Sequence, residues 1–402
     1  MKVLIVSDVF PPECGGVGWG AYYLAKSLLK SGHEVEVVTV FGKQDLVDGI
    51  RVHRCPPSGS KEFAYRRLRK FLIGLLKERK FDILHAHHVI AARASAGLNI
   101  PVAVTVNDYW PVCYKGTLFN SALKTHYSTL TFTECLKSVW YENNWKIKAL
   151  SPFIVPYMLW RTRSSLSALR KADAISFLSK DNQKKMGGLV KDIPQNITYH
   201  ICATEIDADK IPLKKFNRST VVFVGKFNVN KGAMLAVQIA RIIPEIDLVM
   251  VGGTKTQLQK AEPIPENVKI ISYIPNNEVF SYMKSAVAFI APALWHEPFG
   301  RIVVEAMAVG AVPIVSDRGG MSSDIVTDSK SGLIVDPPAA ENFAKAIRKI
   351  ISDKELSAKL SKGALAEFKE KFNESAVTAQ YLQLYDNAIM HFNAKKSRNS
   401  KE

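Results

Sequence analysis

Short, continuous apolar runs alternate with helix-like stretches along most of this chain, and this alternation is the feature that most limits its fold. The first runs are 3–9 and 34–40, in which valine, leucine and isoleucine predominate. Strands of this composition are buried on both faces, as in a parallel sheet covered by helices. The regular exchange of strand and helix therefore predicts an α/β fold with doubly wound parallel sheets.

A polar segment separates the alternation into two series. Residues 206–217 contain one proline and five charged side chains, and we interpret them as a linker. We predict a Rossmann-like N-terminal domain over 1–205 and a Rossmann-like C-terminal domain over 218–374. Residues 394–402 read AKKSRNSKE, and their low hydrophobicity predicts a disordered basic tail.

The charge and the cysteines set limits on partners and compartment. The net charge of +17 favours an anionic partner such as a phosphorylated substrate, an acidic membrane face or nucleic acid. The five cysteines are scattered without CxxC spacing, which argues against a zinc site or a disulfide framework and for a reducing, cytoplasmic compartment. The longest apolar stretch, 153–160, contains a proline and is far shorter than the roughly 20 residues of a spanning helix.

Two glutamates flank the start of a predicted helix. Glu297 and Glu305, with seven residues between them, lie in the run LWHEPFGRIVVEAMAVG at 294–310. Gly300 permits close backbone approach at the helix start, and the N-terminus of a helix attracts anions. A helical rise from 297 onward would separate the two carboxylates by about 12 Å, which is close to the span from sugar to ribose in a nucleotide-sugar.

The longer run PALWHEPFGRIVVEAMAVGAVPIVSDRGGMSSDIV at 292–326 resembles the donor-site signature of the family-4 retaining glycosyltransferases, or glycosyl transferases group 1, which have the GT-B fold. The resemblance implies two Rossmann-like domains that face a central cleft, where the active site lies, with helix 375–392 packed back onto the N-terminal domain. It also implies that Glu297 contacts the transferred sugar and that Glu305 holds the ribose. The resemblance assigns further donor contacts to Ile274, Phe299, Gly300, Arg301, Gly319 and Gly320.

A glycine-rich turn follows the first predicted strand. On resemblance, Gly15, Gly16 and Gly18 contact the donor diphosphate, and a flexible turn is the plainer alternative. Gly16, Gly18 and Ala21 also fit the dinucleotide fingerprint formally. We disfavour dinucleotide binding because no acidic residue closes the second strand.

A second glycine turn, at Gly225, precedes two lysines. Lys226 and Lys231 can both reach one diphosphate, and there they would stabilise the charge that develops on the leaving group. The resembled family more often has arginine where this chain has Lys226, so the bidentate fork of arginine is lost. A solvated basic turn is the alternative interpretation.

The predicted acceptor contacts follow two other strands. In the sequence His-Ala-His-His at 85–88, we expect His87 to contact the acceptor. Asn107, Asp108 and Tyr109 lie in a stretch that resembles the family's His-Asp-Tyr-Trp, with Asn107 in place of a histidine that contacts the sugar. Asparagine is not a base, but a retaining front-face mechanism needs none because the leaving phosphate takes the acceptor proton.

We expect neither a metal nor a cofactor. Asp207 and Asp209 form a DxD triplet, which metal-dependent transferases of another fold use, but they lie in the predicted linker. The resembled family generally works without a metal, since two lysines supply the positive charge.

The sequence thus predicts a retaining glycosyltransferase that moves a sugar from a UDP- or GDP-sugar to an acceptor hydroxyl, on a lipid-linked glycan or a cell-surface polysaccharide precursor. Two basic stretches, 61–80 and 145–171, indicate contact with the inner membrane face by a peripheral protein. For 61–80, a core-packed helix with a solvated charged face is an equal alternative. Two other functions stay open: a nucleotide-sugar epimerase of GT-B type, and a non-catalytic basic binding protein. We expect no nucleic-acid partner, because no single-strand or helix-turn-helix motif is present.

Overall fold

The chain forms two compact units. The computed structural model describes residues 1–12, 14, 16–41, 45–56, 64–202, 206–258 and 263–399. The first unit comprises Met1–Leu118, Tyr127–Ile201 and the chain from Glu374 onward. The second comprises Phe119–His126 and Cys202–Asn373.

Strands and helices alternate along most of both units. In chain order they are β1 (Lys2–Val9), α1 (Gly16–Lys30), β2 (Glu34–Phe41), β3 (Leu46–Val47), β4 (Ile50–Arg54), α2 (Ala64–Glu78), β5 (Ile83–His87), α3 (Val89–Ser95), β6 (Val102–Val106), β7 (Phe119–Asn120), β8 (Thr125–His126), α4 (Phe132–Glu142), α5 (Trp145–Ala149), α6 (Ser151–Leu169), β9 (Ala174–Phe177), α7 (Lys180–Met186), β10 (Gln195–Ile197), β11 (Thr220–Val224), α8 (Ala233–Ile242), β12 (Asp247–Val251), α9 (Lys255–Leu258), β13 (Val268–Ile271), α10 (Asn276–Ser285), β14 (Ala288–Ala291), α11 (Arg301–Ala308), β15 (Pro313–Ser316), β16 (Leu333–Val335), α12 (Ala340–Ser352), α13 (Lys354–Glu367) and α14 (Glu374–Asn399).

The first unit is built on one sheet of order β10-β9-β6-β5-β1-β2-β4-β3. Its strands pair in parallel, except that β3 runs antiparallel to β4. Ile5, in the central strand β1, aligns with Val37 on one side and His85 on the other. The interior of β1 is fully buried, as its unbroken apolar composition predicted.

The last helix, α14, packs on the core of the first unit. Tyr381 and Tyr385 belong to the same buried cluster as the β1 side chains Val3 and Ile5. The Tyr385 hydroxyl forms a hydrogen bond of 2.9 Å with Nδ1 of His85. Burial of two tyrosines and a satisfied polar contact explains why α14 packs on this unit.

The second unit has a parallel sheet of order β13-β12-β11-β14-β15-β16. This is the strand order of a Rossmann sheet. The first strand, β11, lies in the middle, and the order in which later strands are added changes sides between β11 and β14. Phe223 and Leu248 pack with the helix residues Ala236 and Phe343 in one buried cluster. Two Rossmann-like units confirm the predicted α/β class.

The hairpin β7–β8 belongs to the second unit, although its sequence lies within the predicted N-terminal domain. Phe119 is buried, and its ring lies 4.9 Å from that of His126. His126 in turn meets His296 edge to face at 4.7 Å between ring centroids. These ring contacts join the hairpin to the loop after β14, a pairing that no local sequence pattern reveals.

One predicted boundary was wrong. Residues 394–399 continue α14 where a disordered tail was predicted. Lys395 explains this difference, because its ammonium lies 3.1 Å from an Asp173 carboxylate oxygen and also donates to the Ala172 carbonyl.

Gly232 supplies the first stability prediction. Its φ is +70°, and an added Cβ would lie 1.7 Å from the Pro292 carbonyl oxygen. We expect Gly232→Ala to destabilise the protein by about 2 kcal/mol or more, because both the backbone conformation and the close approach exclude a side chain. Calorimetric melting should show a Tm lower by about 4 °C or more.

Gly74→Ala is the matched control. A Cβ at this helical position would have no heavy atom within 4 Å. Alanine should therefore stabilise α2 by about 0.5–1 kcal/mol. Equal effects of the two substitutions would contradict the role of the Gly232 contact.

Candidate active site

The candidate donor residues follow neighbouring strands of the second sheet. Lys226 lies just after β11, Glu297 after β14, and Gly319 after β15. These three strands are adjacent and parallel, so their carboxyl ends share one edge of the sheet. Ligands of open α/β sheets bind at this edge.

The Glu297 carboxylate is held by two side chains. Its Oε2 atom accepts hydrogen bonds from the Lys231 ammonium and from Nε1 of Trp295, the latter at 3.0 Å. The Lys231 ammonium also lies 5.7 Å from the centroid of the Trp295 ring. The Asn228 side chain accepts a hydrogen bond of 2.9 Å from the Lys231 backbone N–H. The Lys231 ammonium therefore orients and neutralises the carboxylate, and Asn228 and the Trp295 ring hold the lysine in place.

Two glycines bring a neighbouring loop against the Glu297 backbone. The Gly320 N–H donates to the Glu297 carbonyl over 2.7 Å. A Cβ on Gly319 would lie only 2.2 Å from the same carbonyl oxygen, and the φ of Gly319 is +75°. The close approach made by Gly319 and Gly320 is thus to the protein itself. Their predicted contact with the donor stays a prediction.

The helix between the two glutamates begins later than the spacing estimate assumed. Helix α11 starts at Arg301, after Gly300 with φ +110°. Residues 297–300 are not helical, so the estimate of carboxylate separation does not hold. The Phe299 ring is 2% exposed and lies 6.1 Å from the ring of Phe372. Its side chain is core, which argues against its predicted donor contact.

Glu305 is a buried carboxyl on α11. Burial raises its pKa, and the guanidinium of Arg301 opposes this effect. The Arg301 Nε atom lies 3.2 Å from Glu305 Oε1. Burial also raises the pKa of the neighbouring Cys202 thiol, and the Glu305 charge adds to that rise. Glu305 is thus a fixed hydrogen-bonding group that one arginine balances.

The other predicted donor residues are less closely connected. Lys226 is exposed, Gly225 donates its N–H to the Val251 carbonyl over 2.9 Å, and Ile274 is half-buried. Asp207, of the DxD triplet, lies 3.1 Å from Lys210. Among the described residues, no group of three histidines, cysteines or carboxylates could hold a metal ion.

In the first unit, a histidine stands between two carboxylates. His88 follows β5 and has φ +81°. Its Nδ1 lies 2.7 Å from Asp8 Oδ2, and its Nε2 lies 3.4 Å from Asp108 Oδ2. Asp8 also accepts a hydrogen bond from the Ala91 N–H at 3.0 Å, and Asp108 accepts one from the Trp110 N–H at 2.7 Å. Each acid is therefore anchored to backbone as well as to the imidazole.

The two acids keep His88 charged. Burial by itself would lower the pKa of this imidazole, but the Asp8 charge and the contacts with both acids raise the pKa to about 10. An imidazole that stays protonated near neutral pH is not a general base there. His88 is thus a cationic bridge that orients the Asp108 carboxylate.

The predicted contact of His87 with an acceptor conflicts with its burial. His87 is fully buried, its ring lies 4.2 Å from that of His85, and burial lowers its pKa to about 3. His85 is also buried and bonds to Thr105 at 2.8 Å. His85 and His87 are alternate residues of β5 and share one face. His88 follows the strand, and its positive φ directs the third histidine toward Asp8 and Asp108 instead.

The other predicted acceptor residues lie close to the same strand ends. Asn107 is 8% exposed, and both polar atoms of its amide have no hydrogen-bond partner among the described residues. Tyr109 is fully buried, and its hydroxyl donates to Asp181 over 3.2 Å.

Of the glycines predicted to contact the donor, Gly16 has open space at its Cβ position, whereas Gly18 packs on Cys14. Gly15 lies outside the described residues.

Comparisons with known proteins define the class. The solved sucrose-phosphate synthase from Thermosynechococcus elongatus matches with a TM-score of 0.70 and 20% identity over 96% of this chain and 98% of that chain. An Anabaena protein, HepE, solved with UDP-glucose, matches with a TM-score of 0.66 and 17% identity over 95% and 98% of the two chains. The fold is therefore GT-B, as predicted.

Family models then identify the chain. The model described as "Glycosyltransferase Family 4" matches residues 14–188, and that described as "Glycosyl transferases group 1" matches 205–366. The phosphatidyl-myo-inositol mannosyltransferase of Mycolicibacterium smegmatis is 23% identical over 92% of this chain and 90% of its own length. This chain belongs to the group 1 glycosyltransferases.

Sequence reasoning missed Asp8, His88 and Trp295. A signal existed for Asp8, because a carboxylate near the end of a buried strand is costly unless it is paired. His88 was part of the histidine run, but its distinct role depends on a positive φ. Trp295 lay beside Glu297 in the motif, and only its side-chain direction reveals the hydrogen bond.

The raised pKa of His88 predicts a pH-dependent stability. A group with a folded pKa of about 10 and an ordinary value of 6.5 stabilises fully below pH 6.5, and this contribution is lost as pH rises toward 10. His88→Gln should therefore cost on the order of 3 kcal/mol at pH 6 and much less near pH 10. Urea unfolding at a series of pH values measures the difference.

The control is His33→Gln. Burial and the N-terminal ammonium lower the pKa of His33, so its replacement should not show a loss that fades between pH 6.5 and 10. A cost of His88→Gln that is constant over this range would contradict the bridge of charges.

Proposed function

We propose that this glycosyltransferase moves a sugar from a UDP- or GDP-sugar to an acceptor hydroxyl with retention of the anomeric configuration. The observation that carries the proposal is the arrangement of Glu297, Lys231 and Trp295 at the carboxyl edge of the second sheet. This arrangement presents an oriented carboxylate and a cation. The carboxylate can accept hydrogen bonds from sugar hydroxyls and the cation can bind a diphosphate, and a nucleotide-sugar contains both groups.

The Lys231–Glu297 pair gives the donor a defined way to bind. The incoming diphosphate offers Lys231 two negative charges in place of one. The lysine then turns from the carboxylate to the phosphates, where the exposed Lys226 joins it. Glu297 keeps its hydrogen bond from Trp295 and becomes free to accept hydrogen bonds from the sugar. Donor binding thus replaces one charge pair with another instead of creating a buried, unpaired charge.

Glu305 holds the ribose in this proposal. The carboxyl is buried and fixed by Arg301, so it can accept hydrogen bonds from the two ribose hydroxyls at little cost in side-chain entropy. The start of α11, at Arg301, adds backbone N–H groups that attract the diphosphate.

The chemistry then requires positioning and charge stabilisation but no enzymic base. The bond from the anomeric carbon to the phosphate oxygen breaks, and the acceptor oxygen bonds to the same face of that carbon. The departing phosphate oxygen takes the acceptor proton, while Lys226 and Lys231 stabilise its negative charge. This route fits the first unit, where His88 is held protonated and Asn107 is not basic.

The acceptor side involves Asp108 and Asn107. Asp108 is anchored and about a quarter exposed, so it can accept a hydrogen bond from an acceptor hydroxyl. The buried amide of Asn107 has no hydrogen-bond partner among the described residues, and in this proposal it bonds to a sugar hydroxyl. The relative from Mycolicibacterium smegmatis is named for transfer of mannose to phosphatidyl-myo-inositol. By analogy, the acceptor here is a lipid-linked glycan or polysaccharide precursor, and the protein works at the inner membrane face without a metal.

A nucleotide screen tests the donor class. Calorimetric melting with UDP, GDP, ADP and their common sugars, in the presence of EDTA, should show stabilisation by one nucleotide series. A ligand at a hundred times its dissociation constant adds about 2.7 kcal/mol, which shifts Tm by several degrees. Stabilisation that requires a divalent ion would refute metal-independent binding, and no response to any nucleotide would refute the donor site.

The ribose role is tested by Glu305→Gln. Glutamine matches glutamate in size and keeps a side-chain oxygen that can face Arg301, so the variant should fold. Hydrogen bonds to a carboxylate contribute about 1.5–3 kcal/mol, so affinity for the selected nucleotide should fall roughly 10- to 100-fold in titration calorimetry. Glu355→Gln, an exposed helix position, is the control and should bind normally. An affinity within about twofold of wild type would disprove the role of Glu305.

A further inference from the structure

Exposed aromatic side chains are concentrated in three consecutive helices of the first unit, α4, α5 and α6. Six of the seven large aromatic residues that are highly exposed among the described residues lie between 132 and 160. Their exposed fractions run from 52% to 76%. The six are Phe132, Trp140, Tyr141, Trp145, Phe153 and Trp160. Helices α4 and α6 pack on each other, so the exposed rings that they carry lie in one region of the unit and indicate an interaction surface.

Helix α6 shows that this exposure is built into the fold. Its inner stripe, formed by Val155, Met158, Thr162, Ser165 and Leu169, is buried. The α6 residues Val155 and Met158 share a small core with Cys135 and Val139 of α4. The outer stripe of α6 begins with Phe153, Pro156 and Trp160 and continues with Arg163, all exposed. Spacings of three and four residues place both stripes on fixed, opposite sides of the helix.

Basic side chains accompany the aromatic ones. Residues 132–171 contain seven lysines and arginines against two glutamates. The two glutamates are already paired, Glu134 with Lys137 and Glu142 with Lys115. Lys146 lies 5.9 Å from the Trp145 ring, and Lys148 lies 6.0 Å from the Trp140 ring. The surface therefore presents aromatic rings and uncompensated positive charge together.

We propose that this surface, formed by the six aromatic residues and the basic residues of 132–171, docks the protein on an anionic lipid membrane. The proposal rests on the lipid-linked acceptor of the proposed function and identifies the part of the chain that meets the bilayer. Tryptophan and tyrosine favour the interface of a bilayer, where the ring is buried at headgroup level and lysine or arginine reaches the lipid phosphates.

Two properties of the surface favour a membrane over a second copy of the chain. A net charge of +5 over 132–171 would repel an identical surface, whereas anionic headgroups neutralise it. The outer stripe of α6 also divides along its length, with apolar residues at 153–160 and arginine beyond. An interfacial helix has this pattern when its aromatic end enters the acyl boundary and its basic end stays among phosphates. No described helix is long and apolar enough to cross the bilayer.

The test is vesicle binding by the full chain. Sedimentation with phosphatidylcholine vesicles, with and without phosphatidylglycerol, measures partitioning, and brominated acyl chains report insertion through quenching of tryptophan fluorescence. We expect binding to the anionic vesicles with quenching. The variant Trp145→Ser/Phe153→Ser/Trp160→Ser should lose both, with partitioning reduced about tenfold or more. The variant Lys146→Glu/Arg163→Glu should lose about tenfold on anionic vesicles through charge alone.

A matched control removes exposed apolar side chains elsewhere. Leu213 and Met390 are 68% and 69% exposed, and Leu213→Ser/Met390→Ser should bind vesicles like the wild type. Equal loss in this control would overturn the assignment of the surface. Light scattering that shows a dimer, disrupted by the aromatic variant, with no vesicle binding would replace the membrane with a second copy. Binding of single-stranded RNA that displaces the vesicles would overturn it as well.

The outcomes separate this proposal from the proposed function. Nucleotide stabilisation without vesicle binding leaves the transferase intact and ends the docking proposal. Vesicle binding without any nucleotide response would support the docking proposal and refute the donor site. The aromatic variant should keep the wild-type response to nucleotide, because none of its three positions belongs to the donor site.

Discussion

Helices cover both faces of each parallel sheet. Polar side chains that bind a ligand therefore lie at the carboxyl edge, where the strands end. In the first unit, this edge carries Asp8 at the end of β1, His88 after β5 and Asp108 after β6, three neighbouring strands. In the second, it carries Lys226 and the loop that holds Glu297. The central strands of both sheets are almost wholly buried, so a charged side chain within them requires a partner. The positions of the candidate residues follow from this constraint before any question of catalysis arises.

At the carboxyl edges of both sheets, the candidate carboxylates are paired with cationic side chains. Glu297 is balanced by Lys231, Glu305 by Arg301, and two aspartates share His88. Each pair lowers the cost of partial burial, and each keeps a carboxylate in a defined direction. In the proposed reaction, the phosphates of the donor take over Lys231. In this proposal, the Lys231–Glu297 pair therefore stabilises the protein without ligand and is replaced when the donor binds.

Glycines provide the close contacts that bring these groups together. Gly319 and Gly320 let one loop lie on the backbone of Glu297, and Gly232 lets the start of α8 meet the strand-end segment at Pro292. The 292–326 motif contains Gly319 and Gly320, and the resemblance to the family assigns both to the donor. The structure shows that their immediate neighbours are protein atoms, so their first contribution is to the shape of the edge.

The sequence by itself determined the class of fold, the two Rossmann-like series and the family, because continuous apolar strands and the 292–326 motif are local patterns. It also singled out Glu297 and Glu305, which the motif carries, and Lys231, which follows the glycine turn at Gly225. Only the tertiary structure decided that His88 and not His87 meets Asp8 and Asp108, since this depends on one positive φ. It likewise decided that Phe299 is core and that the hairpin β7–β8 joins the second unit. Contacts between residues far apart in sequence depend on packing, and no local pattern encodes them.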